Sequence, residues 1–362
     1  MQNGTILVHC SAGIGRTGTY IALDALFEEG QKTGFIDILK FVKSMRNSRM
    51  NMIQTKAQYV FLHYALLEAF TMKNTIIGKD RFSEVWQDIE SNERSLNQQK
   101  LFTEFELLLS RKSENDDCTY YVARNADNIN KNRNLGVLSM DSTRLILSSY
   151  QKGRSDYINA VTVPSYTKYN GYITTQIPLP DTKIDFWTMM RYHNSSIIVL
   201  ILNDLKEADM VYALSTNSFT CGPFNVQITR RDKGESDITQ AKLIIHRKDD
   251  KPQEVELFQI LCSDLPNAKV FCDLIDLIFT RISMSNAPVT VVSSDGAKNC
   301  GAFCTFANAV SSMKIDEKAD IFQLARLLLL RRHEFFKTFA EYRLCYEALH
   351  AYLSSTNVYA NF

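Results

Sequence analysis

Val8-His9-Cys10-Ser11-Ala12-Gly13-Ile14-Gly15-Arg16-Thr17-Gly18 is the stretch that decides how this chain is read. The apolar run Thr5-Ile6-Leu7-Val8 predicts a short buried strand, and the run from Tyr20 to Phe27 predicts a helix. A loop between strand and helix aims its free N–H groups, and the positive helix end, at one point. Gly13, Gly15 and Gly18 let that backbone curl closely around an anion. The backbone of Ser11, Ala12, Gly13, Ile14 and Gly15 is therefore expected to hold a bound phosphate. Cys10 stands among these donors and near Arg16, surroundings that favour a thiolate over the ordinary thiol of pKa ~8.5. Arg16 supplies a bidentate fork for phosphate oxygens and can follow charge as a phosphoryl group transfers. Thiolate, donor cradle and fork together describe nucleophilic phosphoryl transfer. A small buried cysteine beside an ordinary turn would account for Cys10 alone. It does not account for His-Cys, five residues and Arg between a strand and a helix. No Gly-Lys-Ser/Thr ending is present, which excludes a P-loop nucleotide site.

Outward from the loop, the composition narrows the class. The 362 residues carry 41 Lys plus Arg against 40 Asp plus Glu, a net charge of +1. That balance argues against a nucleic-acid partner, which calls for a surplus of cations on one face. Hydrophobic residues at 45% and charged residues at 22% are ordinary for a globular chain, and the length suggests two domains. The longest apolar runs, Ile197 to Leu202 and Leu327 to Leu330, fall far short of a membrane span of ~18 residues. Met1-Gln2-Asn3-Gly4 has no basic region and no long apolar core behind it, so no secretory signal is read there. Eight Cys without close pairing read as reduced cytosolic thiols. The six His sit apart, with no spacing for a zinc site, so no metal or cofactor is expected.

Helices are also predicted from Ile36 to Met45 and through Tyr59, Leu62, Leu66 and Phe70. From about Lys73 to Asn97 the text turns polar and reads as a linker with a helix in it. Strands follow at Tyr157 to Val163, Tyr172 to Gln176, Ser196 to Leu202 and Ala241 to His246. The last strand, Val289-Thr290-Val291-Val292, leads into a Gly-bearing loop and three helices. This ending repeats the beginning. A shift of 283 residues aligns Val8 with Val291, Gly13 with Gly296, Gly18 with Gly301 and Asp37-Ile38 with Asp320-Ile321. It also aligns Arg49 with Arg332, Thr55 with Thr338, Tyr59 with Tyr342 and Ala65-Leu66 with Ala348-Leu349. One constant offset without a gap marks a duplicated domain. Some 190 residues separate Leu101 from Val291, whereas seven precede Val8, so the first copy is expected to lack its N-terminal two-thirds here.

Val8 to Tyr20 resembles the active-site loop of the tyrosine-specific protein phosphatases, whose hallmark is HCx5R followed by Ser or Thr. Met52-Ile53-Gln54-Thr55-Lys56-Ala57-Gln58-Tyr59 resembles that family's glutamine loop. The resemblance implies that His9 orients and tunes Cys10 and that Thr17 assists breakdown of a phosphocysteine. It also implies that Gln54 positions the hydrolytic water and that Gln58 helps hold it at the substrate site. Without Cys10 upstream, Gln54 and Gln58 would read as a solvated helix start. The family's general acid is an Asp on a Trp-Pro-Asp loop upstream of the cysteine loop, and this sequence begins after the place where it would stand.

From about Leu101 to Leu353 the resemblance is continuous through Lys131-Asn132-Arg133, Asp156-Tyr157-Ile158-Asn159-Ala160, Tyr172 to Gln176, Pro178-Leu179-Pro180 and Asp185-Phe186-Trp187. Through the offset, Cys10 becomes Ser293, His9 becomes Val292, Ala12 becomes Asp295, Gly15 becomes Lys298 and Arg16 becomes Asn299. Gln54 becomes Lys337 and Gln58 becomes Glu341. Ser263-Asp264-Leu265 stands where the family has Trp-Pro-Asp, and Asn134 where it has a tyrosine. Cys300 replaces the loop threonine, four places before Cys304. These two read either as a redox pair at a helix start or as packed core thiols.

The fold implied is α/β: a tyrosine-phosphatase fold, a twisted mixed sheet flanked by helices, duplicated, with the first copy truncated. Residues 1–72 are expected to be the C-terminal third of an active-type domain, 73–100 a linker and 101–355 a complete pseudophosphatase domain. The resemblance implies a receptor-type protein tyrosine phosphatase acting on phosphotyrosine-containing proteins, with contact between phosphatase domains. It places this part on the cytoplasmic side of a single-pass receptor. The alternative is a non-catalytic regulatory or scaffolding protein built on the pseudophosphatase fold.

Overall fold

The computed structural model describes residues 5–71, 75–91, 95–110, 120–147, 153–204, 217–233, 237–248, 250–282 and 287–359. The chain divides into two compact units, Met1–Thr75 and Ile76–Phe362.

The first unit holds three helices: α1 (Gly15–Thr33), α2 (Ile38–Ser48) and α3 (Lys56–Thr71). Gly34 ends α1 in the left-handed conformation at φ 71°, where a side chain would be strained. The Asp37 carboxylate starts α2 by accepting the Lys40 N–H. Ala22 and Leu26 of α1, Val42 and Met45 of α2, and Leu62 and Leu66 of α3 meet over Met52 and Ile53. The strand predicted at Thr5-Ile6-Leu7-Val8 does not form: these residues lie outside any strand, with Ile6 74% and Leu7 88% exposed. A strand exists by pairing, and no strand is found among the described residues of this unit to give it an edge.

The second unit opens with β1 (Ile77–Gly78), α4 (Lys79–Ser91) and α5 (Leu96–Ser110). These elements fill most of the stretch expected as a linker. The polar text hid a helical stripe: Phe82, Trp86 and Ile89 are buried. They pack toward the Phe339–Tyr359 helix, where Phe82 stacks on Tyr346 at 6.2 Å and Trp86 on His350 at 6.1 Å. From α5, the buried Glu104 carboxylate accepts the Tyr342 and Tyr346 hydroxyls, each at 2.7 Å. The unit therefore begins near Ile76 and not at Leu101.

Its strands are β2 (Arg144–Ile146), β3 (Tyr157–Val163), β4 (Tyr172–Gln176), β5 (Ile197–Leu202), β6 (Ser218–Cys221), β7 (Phe224–Lys233), β8 (Ile238–Arg247), β9 (Gln253–Leu261) and β10 (Val289–Ser293). They form one nine-stranded sheet in the order β2-β3-β4-β10-β5-β9-β8-β7-β6. The pairs β4/β10, β10/β5 and β5/β9 are parallel and the remaining pairs antiparallel. β10 is buried along its whole length and ends in register with Gln176 on one side and Ile201 on the other. A parallel strand covered on both faces reads as a continuous apolar run, which is why Val289 to Val292 was legible. β11 (Lys318–Ala319) pairs with β1 apart from the main sheet.

The repeat holds at backbone level. Gly13 and Gly296 have φ of 68° and 77°, Gly34 and Glu317 have 71° and 54°, and Ile53 and Phe336 have 59° and 55°. Asp320 caps the Ile321–Leu329 helix through the Gln323 N–H, as Asp37 caps α2.

Candidate active site

The first loop is fastened at its end. Ile14, the residue before α1, accepts the Gly18 N–H at 3.1 Å and the Ile53 N–H at 3.0 Å. The second bond requires Gly18, because a Cβ there would stand 2.7 Å from the Ile53 nitrogen. Gly13 turns the chain so that its N–H donates to the Cys10 Sγ at 3.3 Å. The Cys10 thiol is lowered to about 6, first by the Thr17 hydroxyl and the Thr17 N–H, which outweigh an opposing desolvation, and then by the Gly13 and Ile14 N–H groups. Thr17 Oγ1 is buried and makes no regular hydrogen bond among the described residues, so its proton is free to turn toward the sulfur.

The expected residues fall into two groups. Cys10, Gly13, Ile14 and Thr17 converge on the sulfur. Gln54, Thr55 and Gln58 form a turn in which Gln58 Oε1 accepts the Gln54 N–H at 2.9 Å and the Thr55 N–H at 3.2 Å. Gln58 Nε2 lies so near the loop that a Cβ on Gly15 would come within 2.8 Å of it. Ser11, Ala12, Arg16, His9 and Gln54 are exposed. The Thr17 hydroxyl and N–H are the largest influences that favour the thiolate. Arg49 was not foreseen as part of the site. Its Nη2 donates to the Ala12 carbonyl at 3.2 Å, bracing the loop from outside, and its match to Arg332 under the offset was the available signal.

In the second unit the corresponding loop follows β10 and leads into the Cys300–Asp316 helix. The Ser293 hydroxyl accepts the Gly296 N–H at 3.2 Å, as Cys10 accepts that of Gly13, and accepts the Cys300 thiol at 3.3 Å. The substituted positions find one another. Asp295 Oδ1 accepts the Ala297 and Lys298 N–H groups at 3.0 and 2.9 Å, and its Oδ2 pairs with Lys337 Nζ at 2.8 Å. Burial opposes ionisation of Asp295, but Lys337 and these N–H donors outweigh it and hold the carboxyl below the usual value. Glu341 Oε1 accepts the Asn299 N–H at 2.9 Å. Lys298 Nζ pairs with the Asp264 carboxylate, which raises the lysine, and Asn299 Nδ2 donates to the Asp264 carbonyl at 3.0 Å. Cys300 and Cys304 are fully buried; burial pushes Cys300 up to about 12 and Cys304 well above the ordinary thiol. Both behave as packed core thiols.

Known proteins resemble this chain along nearly its whole length. The human receptor-type tyrosine-protein phosphatase zeta is 30% identical over 365 residues, covering 97% of this chain and 16% of that protein. The mouse receptor-type tyrosine-protein phosphatase alpha is 30% identical over 372 residues, covering 99% of this chain and 44% of that protein. The human receptor-type tyrosine-protein phosphatase F is 31% identical over 373 residues, covering 99% of this chain and 19% of that protein. The chain thus spans less than half the length of each of these relatives. No helix among the described residues is long and apolar enough to cross a membrane. The family described as protein-tyrosine phosphatase matches residues 1–68 and 128–351, two stretches that each contain one of the two loops, and the chain belongs to that family.

Proposed function

We propose that the Cys10 loop hydrolyses phosphotyrosine in proteins and that the second unit is a non-catalytic, regulatory partner. The observation that carries the reading is the Cys10 thiol, lowered to about 6 by its own loop at the N-terminus of α1. At neutral pH the group is a thiolate and attacks phosphorus. The S–P bond forms as the P–O bond to the tyrosine ring breaks, and the phenolate leaves and takes up a proton. Water then attacks the phosphocysteine, releasing phosphate and returning the thiolate. Arg16 is the clamp for the transferring oxygens, and the loop N–H groups hold the rest. Gln54 and Gln58 are the residues for the water. His9 sets the loop's start.

Residues 1–72 carry the active-type loop, and 101–355, reached through the helices from Ile76, carry the degenerate one. The names of the relatives support a receptor, and this part is read as lying on its cytoplasmic side. The second unit's part rests on Ser293, which is hardly ionised at neutral pH and has the apolar Val292 beside it.

The test is release of nitrophenol from 4-nitrophenyl phosphate, a leaving group that needs little protonation. The wild-type 362 residues turn over, and Cys10→Ser abolishes turnover while oxyanion binding remains. A phosphotyrosine peptide, whose leaving group calls for a proton, is expected to turn over more slowly than 4-nitrophenyl phosphate. Full turnover by Cys10→Ser would remove Cys10 as nucleophile and make the second unit an enzyme.

A further inference from the structure

We infer that the loop after β10 is an anion cradle already filled by the chain's own carboxylates, those of Asp295 and Glu341, and clasped shut by Lys298 and Asp264. The inference rests on the reading of the second unit as non-catalytic and says what occupies its site.

The two loops differ in what their N–H groups meet. In the first, the Gly15 and Arg16 N–H groups have no acceptor among the described residues. They stand at the start of a 19-residue helix, where an anion would bind. Their counterparts in the second loop are Lys298 and Asn299, and both are taken, by Asp295 Oδ1 and Glu341 Oε1, each at 2.9 Å. Bonds from an N–H to a carboxylate are charge-assisted, so a phosphate entering this loop would have to displace strong partners.

A single atom of Glu341 makes the difference. Gln58 uses its oxygen for the Gln54 and Thr55 N–H groups, and turns its amide nitrogen, a donor, toward the first loop. Glu341 makes the equivalent turn with Oε2, accepting the Lys337 N–H at 2.9 Å and the Thr338 N–H at 3.2 Å. Its other atom is now an acceptor, so it closes on the Asn299 N–H. Asp295, where the first loop has Ala12, supplies the second internal anion.

The clasp uses the positions that lost the clamp. Lys298 stands in place of Gly15 and pairs with Asp264, and Asn299 stands in place of Arg16 and holds the Asp264 carbonyl. Lys337, in place of Gln54, pairs with Asp295. Ser293, Asn299 and Glu341 are each 3% exposed or less. Val292 apart, the residues that replace the phosphate-handling groups of the loop and of its glutamine turn therefore also supply bonds within the closed site.

The experiment measures tungstate binding to the full chain by calorimetry, in an Arg16→Ala background that silences the first loop. That chain is expected to show no tungstate site at the second loop. Adding Asp295→Ala and Glu341→Gln frees the donors, and tungstate affinity should rise about ten- to a hundred-fold, the weight of one charged hydrogen bond. Slowed amide exchange at Lys298 and Asn299 on adding tungstate would locate the new site. If near-UV dichroism shows the combined variant unfolded, Glu341→Gln alone replaces it, with a smaller rise expected. Tungstate protection of Lys298 and Asn299 in the Arg16→Ala chain overturns the inference, as does a folded variant that gains no site. Hydrolysis by the Cys10→Ser chain would instead overturn the non-catalytic reading, which separates the two failures.

Discussion

Burial raises the thiols of Cys221, Cys262, Cys272, Cys300, Cys304 and Cys345, whereas Cys10 alone among the described cysteines is lowered. The cause is local: hydroxyl and N–H donors at the start of α1 stabilise the charged sulfur. Since the folded value lies below the ordinary one, the charged form favours the fold at higher pH, and that contribution fades as pH falls through about 6. Alkylation of Cys10 by iodoacetamide, followed by peptide mass spectrometry, should show a midpoint near 6 and a plateau above it. Thr17→Ala removes the largest of the causes and should move the midpoint toward the ordinary thiol at ~8.5. An unchanged midpoint in that variant would return the task to His9 or Arg16.

At the scale of elements, two glycines let a helix reach the segment after the next helix. A Cβ on Gly18 would meet the Ile53 nitrogen at 2.7 Å, and one on Gly301 would meet the Phe335 Cβ at 2.7 Å. Backbone cannot swing aside as a side-chain tip can. Gly18→Ala should cost about 1–3 kcal/mol in denaturant unfolding and slow Cys10 alkylation by loosening the Ile53–Ile14 bond. Wild-type rates in a stable Gly18→Ala chain would show that the contact is dispensable.

Between α5 and the Phe339–Tyr359 helix, Glu104 is 2% exposed, and desolvation raises its carboxyl despite two tyrosine hydroxyl donors. A carboxyl raised in the fold keeps its proton there, so stability falls as pH climbs from the ordinary carboxylate value through the raised one. Glu104→Gln deletes the buried charge and keeps an acceptor. Its melting temperature should exceed wild type more at ~pH 8 than at ~pH 4. The reverse order would mean that the ionised form is the one the fold favours.

For the whole molecule, the decisive matter is where the second unit starts. Phe82 is 1% and Trp86 3% exposed, and both lie in the stretch read from sequence as a linker. Removing a buried aromatic costs about 3–5 kcal/mol, and a domain has only about 5–15 kcal/mol in total. Residues 76–362 should therefore unfold in one cooperative transition, whereas residues 101–362 should show none or a much lower midpoint. Equal midpoints would restore the boundary at Leu101.

The loop before α1, the duplication and the central strands were legible because each depends on residues adjacent in sequence or repeated at one offset. HCx5R is a local spacing, and the runs at β3, β4, β5 and β10 are apolar because both faces of those strands are covered. The sequence also marked every position where the second loop departs from the first. What lay beyond it depends on partners far along the chain. Thr5 to Val8 has strand composition yet pairs with nothing, while its counterpart Val289 to Val292 sits between β4 and β5. The helix α4 looked polar until the Phe339–Tyr359 helix gave its buried stripe a surface. Asp264 looked like a misplaced acid, and only the fold brought it to Lys298, 34 residues away, as half of a clasp. A spacing can name the groups a loop contains, but which donor meets which acceptor is set by tertiary packing.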